Sequence, residues 1–103
     1  MTKLSISNSD KKILEQILSK YPYNFYAYGS RAKGTAKKYS DLDLCYQEEI
    51  PIRTITELRW ELKESNLPFI IELVNWKNMR PAFQKIIKKD LVLICPVEKL
   101  IVN

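Results

Sequence analysis

"FYAYGSRAKGTAKKYSDLDLCY", residues 25–46, decides how the rest of the chain is read. It contains both glycines of the 103-residue sequence, Gly29 and Gly34. Ten residues separate Ser30 from Asp41, and Asp43 follows after Leu42. The aromatic run 25–28 reads as a short strand. Residues 30–36 read as a brief helical turn closed by Gly34. Residues 41–46 alternate as a strand does. Residues two apart on a strand point to one face. Asp41 and Asp43 therefore project side by side, while Leu42, Leu44 and Tyr46 turn into the core.

Working outward, residues 9–20 place Ile13, Leu14, Ile17 and Leu18 on one helical stripe, with Ser9 as the expected N-cap and Pro22 as the stop. Residues 51–66 put Ile55, Leu58 and Leu62 on one face of a second long helix, broken by Asn66 and Pro68. Residues 69–75 form the most strand-like segment. Phe69, Ile71 and Leu73 share one face there; Ile70, Glu72 and Val74 share the other. Residues 79–89 place Phe83, Ile86 and Ile87 at helical spacing, with Pro81 suited to the first turn. Residues 91–95 close the chain as a short strand. The order α-β-α-β-α-β-α-β predicts an α+β fold of two layers, a small mixed sheet with helices packed against it.

Composition narrows the chemistry. With 103 residues, 46% of them apolar, the chain is expected to be one domain, 1–103, with a modest core. The N-terminal "MTKLSISNSDKK" has no apolar signal core and no run reaches membrane-span length, so a cytoplasmic protein is expected. Cys45 and Cys95 read as buried free thiols. There is no histidine, which removes the usual zinc sites, histidine bases and Ser-His-Asp hydrolases. The net charge of +5 favours anionic partners, although lysines spread along helix faces are ordinary solvated surface.

"GSRAKGT" approaches the P-loop pattern and departs from it where it matters. Thr35 stands where the phosphate-holding lysine belongs, and Ala36 where the metal-holding hydroxyl belongs. A glycine turn opening a helix still receives phosphate on unpaired amides. Gly29 permits close approach, Ser30 adds a hydroxyl, and Arg31 and Lys33 add positive charge. Paired aspartates suit Mg²⁺, which takes one or two carboxylates together with substrate phosphates. An EF-hand does not fit, because its glycine and terminal glutamate are missing. Glu72 is a charged residue inside an apolar strand, costly to bury unless paired or metal-bound. If that strand lies beside 41–46, Glu72 joins the aspartates. Two Mg²⁺ ions on such a cluster could bridge a nucleoside triphosphate.

These residues resemble the signature of the DNA polymerase β-type nucleotidyltransferases: Gly-Ser, about ten residues, then Asp-x-Asp between apolar residues. The "GSRAKGTA" wording and the chain length resemble the minimal nucleotidyltransferases (MNT proteins). The resemblance implies that Gly29 and Ser30 bind phosphate, that Arg31 and Lys33 assist, and that Asp41, Asp43 and Glu72 bind metal and carry catalysis. Many relatives have Asp where Glu72 stands. It further implies ATP as substrate, Mg²⁺ as cofactor and a HEPN-domain toxin as partner. AMP would pass to a tyrosine of that toxin, making this chain its antitoxin. At this length an acceptor surface would come from a partner or from a second copy, a homodimer. Two other readings stand beside this one. The first is a catalytically silent antitoxin. The second is a small basic nucleic-acid binder using Tyr26, Tyr28 and Tyr39, with nucleic acid not expected as the main partner.

Overall fold

The computed structural model describes residues 4–94. Its elements run α1 (Asn8–Leu18), β1 (Phe25–Tyr28), α2 (Ser30–Lys33), β2 (Leu42–Tyr46), α3 (Ile52–Lys63), β3 (Ile71–Asn75), α4 (Pro81–Ile87) and β4 (Val92–Ile94). Short 3-10 turns flank α4 on both sides. The expected order of elements is therefore present. Cys95 and the end of the last expected strand lie outside the described residues.

The sheet order is β3-β2-β1-β4. β1 pairs antiparallel with β2 and with β4, while β2 and β3 are parallel. A parallel pair needs a crossover, and α3 supplies it. Leu14 and Leu18 of α1 and Ile55, Leu58 and Leu62 of α3 pack on one sheet face. There they meet Phe25, Ala27, Leu42, Leu44, Tyr46 and Leu73 in the main core. The side chains of β2 and β3 split between faces as their alternation requires: Leu73 is buried and Glu72 is exposed. Tyr28, Cys45 and Ile87 form a second, smaller cluster, to which Trp76 and Met79 add. α4 thus covers part of the opposite face, and the two-layer expectation gains a partial third layer.

Several local expectations change. The N-cap of α1 is Ser7, not Ser9; the Ser7 hydroxyl accepts the Asp10 amide at 3.1 Å. Ser7 stands three residues before an acid, as a helix start favours, and the helix ends at Leu18, earlier than Pro22 would impose. α4 begins only at Pro81, because Arg80 before the proline is extended (φ −65°, ψ 140°). On α4, Ile87 alone is buried, while Phe83 and Ile86 are 42% and 59% exposed. An exposed Trp60 likewise lies outside the core.

Two long-range polar contacts tie the helices down. Lys20 and Tyr21, after α1, both donate to the Glu61 carboxylate on α3. Arg59 of α3 reaches the open side of β3 and donates to the Leu73 carbonyl at 2.7 Å. Among the described residues no helix is long and apolar enough to cross a membrane.

Candidate active site

β1 delivers the chain into Gly29, whose φ of 81° and ψ of −154° lie in a region essentially reserved for glycine. A second constraint acts on the same atom. A Cβ at Gly29 would stand 2.7 Å from the Asp43 Oδ2. The two halves of the sequence motif are therefore in contact, the Asp43 carboxylate lying against the bare backbone of the turn. Ser30 opens the four-residue helix α2, whose first amides have no side-chain cap. Gly34 ends α2 in the left-handed conformation (φ 80°) with open space around it.

Across the sheet, Tyr28 pairs with Asp43 and Asp43 pairs with Glu72. Opposed residues share a face, so Tyr28, Asp43 and Glu72 form one row. Asp41 stands two residues before Asp43, at the mouth of β2, and is exposed. Partial burial raises the Asp43 pKa above the ordinary carboxylate value, with further contributions from the Glu72 and Asp41 charges. Tyr28, buried beside them, is pushed up to about 12, first by burial and then by Asp43, Cys45 and Glu72. Burial likewise pushes the Cys45 thiol up to about 11, which leaves it an inert core group.

Glu72 lies on an edge strand and is exposed, yet it is also the direct neighbour of Asp43. Among the described residues no three Asp, Glu, Cys or His side chains converge closely enough to hold a metal ion together. Mg²⁺ needs only one or two carboxylates when phosphate oxygens complete its shell, so the Asp41–Asp43 pair with Glu72 alongside fits that ion.

Arg31 does not join this row. It is 4% exposed. Its Nε donates to the Ser40 carbonyl (3.0 Å), Nη1 to that of Ser5 (2.7 Å) and Nη2 to that of Lys38 (3.1 Å). Its guanidinium also sits 4.1 Å from the centre of the Phe69 ring. The expectation of a phosphate contact is thus replaced by a strut joining α2 to the loop that leads into Asp41. Lys33 stands exposed at the end of α2. Sequence reasoning offered Tyr28 as an aromatic of a nucleic-acid binder and did not link it to the acidic row. The signal was its position directly before Gly29, which fixes it opposite the aspartate that touches the turn.

A strand, a glycine turn against the second aspartate of an Asp-x-Asp pair, and a carboxylate on the neighbouring parallel strand define a class. The polymerase β nucleotidyltransferase family matches residues 11–99, and the chain belongs to that family of enzymes. Within it the chain is a minimal nucleotidyltransferase. It is 40% identical over 93 residues to the probable protein adenylyltransferase MntA of Haemophilus influenzae, covering 88% of this chain and 80% of that one.

Proposed function

We propose that this chain is a Mg²⁺-dependent protein adenylyltransferase of the cytoplasm. It would transfer AMP from ATP to a tyrosine hydroxyl of a HEPN-domain toxin and so act as that toxin's antitoxin. The single observation that carries the reading is the contact of Gly29 with the Asp43 carboxylate, in register with Glu72. It brings a phosphate-receiving turn and the acidic row to one end of the sheet.

The roles follow from the chemistry. Gly29 and Ser30 receive the β- and γ-phosphates on backbone amides and a hydroxyl, and Lys33 adds charge nearby. Asp41 and Asp43 hold Mg²⁺, which when bound neutralises charge on the triphosphate and the departing pyrophosphate. Burial first, and then repulsion from Glu72 and Asp41, raises Asp43; a cation relieves the repulsion. Glu72, exposed at the edge, takes the proton of the incoming hydroxyl. The hydroxyl oxygen bonds to the α-phosphorus, the bond to the bridging oxygen breaks, and pyrophosphate leaves with the electron pair. Positioning and electrostatics supply most of the rate. Arg31 serves by keeping the turn and the Asp41 loop in fixed relation.

Incubation of the protein with MgCl₂, ATP labelled at the α-phosphate and a purified HEPN-domain toxin tests this. Label is expected on a toxin tyrosine and is expected to vanish in Asp41→Ala and Asp43→Ala. If both variants neutralise the toxin as well as the native chain does, with no label transferred, the protein is a silent binding antitoxin instead.

A further inference from the structure

We propose that Phe83 is the platform on which the base of the donor nucleotide stacks; this rests on the nucleotidyltransferase reading above. Phe83 and Ile87 lie one turn apart on α4 and so share a helix face. Ile87 is 4% exposed and packs on Tyr28 and Cys45, as a core residue should. Phe83, on the same stripe, keeps 42% of its surface in solvent. It is not adrift: its ring meets Tyr28 edge-on, with centroids 5.9 Å apart and planes at 80°. Tyr28 in turn is the partner of Asp43 and the residue before Gly29.

A large aromatic side chain is thus held in a defined orientation, half in water, one residue away from the acidic row. It stands on the β1 side of Asp43, opposite Glu72 on β3. With the acceptor hydroxyl drawn to Glu72 and the phosphates on the Gly29 turn, the nucleoside has the Tyr28–Phe83 side left to occupy. Exposed π-faces take bases without demanding a particular hydrogen-bond pattern. Other exposed aromatics fit less well. Tyr39 is 67% exposed but lies beside the Lys38 ammonium in the loop before Asp41. Trp60 lies on α3, which packs against the other sheet face.

The test compares calorimetric binding of Mg·ATP with that of Mg·tripolyphosphate, which has the phosphates and no base. For Phe83→Ala, ATP binding is expected to weaken roughly 5- to 140-fold, the range of one lost base–aromatic stack. Tripolyphosphate binding is expected to stay within twofold of native. Phe83→Trp should restore ATP affinity, and Tyr39→Ala should leave both ligands unchanged. Equal weakening of both ligands in Phe83→Ala, or no change in either, overturns the assignment. So does a loss that appears in Tyr39→Ala instead. If the native chain binds neither ligand, the nucleotidyltransferase reading fails and takes this one with it.

Discussion

Arg31→Lys keeps the charge and removes the fork, and its cost can be worked from the geometry. Three of the guanidinium contacts are sound hydrogen bonds, at 3.0, 2.7 and 3.1 Å. A fourth, to the Lys37 carbonyl at 3.5 Å, is marginal. The acceptors lie on two separate segments, Ser5 on one side and residues 37–40 on the other. A lysine ammonium is a single nitrogen and keeps one side only. Two charge-assisted bonds are then lost, at about 1.5–3 kcal/mol each. The guanidinium's cation–π contact with Phe69 is lost too, worth about 0.5–1 kcal/mol at a half-open ring. Water entering the vacated space offsets part of this, so a loss of about 3–4 kcal/mol is expected. Against a total stability of about 5–15 kcal/mol for a small domain, that is a large fraction. Urea unfolding followed by circular dichroism should show a lower midpoint with an unchanged slope. A phosphate-binding arginine would behave in the opposite way, with stability kept and nucleotide affinity lost. A stability loss below about 1 kcal/mol would refute the strut.

Two further outcomes follow from the charges. Asp43→Asn removes a partly buried charge that Glu72 and Asp41 oppose, so the apo protein should gain stability at pH 7, within about 1 kcal/mol. The gain should vanish below the unfolded carboxyl pKa of about 3.9, where Asp43 is protonated anyway. Mg²⁺ should raise the melting temperature of the native chain and not that of this variant, as a thermal scan with and without the ion will show. The second outcome concerns Glu61, whose carboxyl is held below its ordinary value first by the Lys20 hydrogen bond and then by that of Tyr21. Its contribution is complete above the unfolded value of about 4.3 and disappears as pH falls through the lower folded value. The native chain should therefore exceed Glu61→Gln in stability at pH 7, by about 1 kcal/mol or less at this surface site. Denaturation curves at pH 7 and pH 3 should show the difference closing.

Periodicity made most of the architecture legible. Leu14 and Leu18, then Ile55, Leu58 and Leu62, are buried where a helical stripe places them. Alternation along β2 assigned Leu42 and Leu44 to the core face, and along β3 it set Leu73, which is buried, on the face away from Glu72. That same alternation put Asp41 with Asp43, and Gly29 stood out as one of only two glycines. Strand partnership is another matter. Period two tells which face Glu72 occupies and says nothing about its neighbour; the parallel register with Asp43 depends on how α3 crosses over. Arg31 misled for a related reason. A cation beside a glycine turn reads as an anion ligand, and only the return of residues 37–40 and the docking of Ser5 reveal its carbonyl partners. Phe83 and Ile86 have core-like spacing, but α4 covers too little of its sheet face to bury them. The Ser7 cap was missed because two serines compete within one turn of the same helix start.

The contact of Arg59 with Leu73 has a consequence for how the chain behaves in company. An outermost strand offers a row of main-chain groups on which another extended chain can grow. Here one of the central acceptors is already taken by a charged side chain from the helix above. An incoming strand would have to dislodge that guanidinium before it could zip along β3. A single arginine so works as a bolt across the open margin, discouraging these molecules from stacking into fibres.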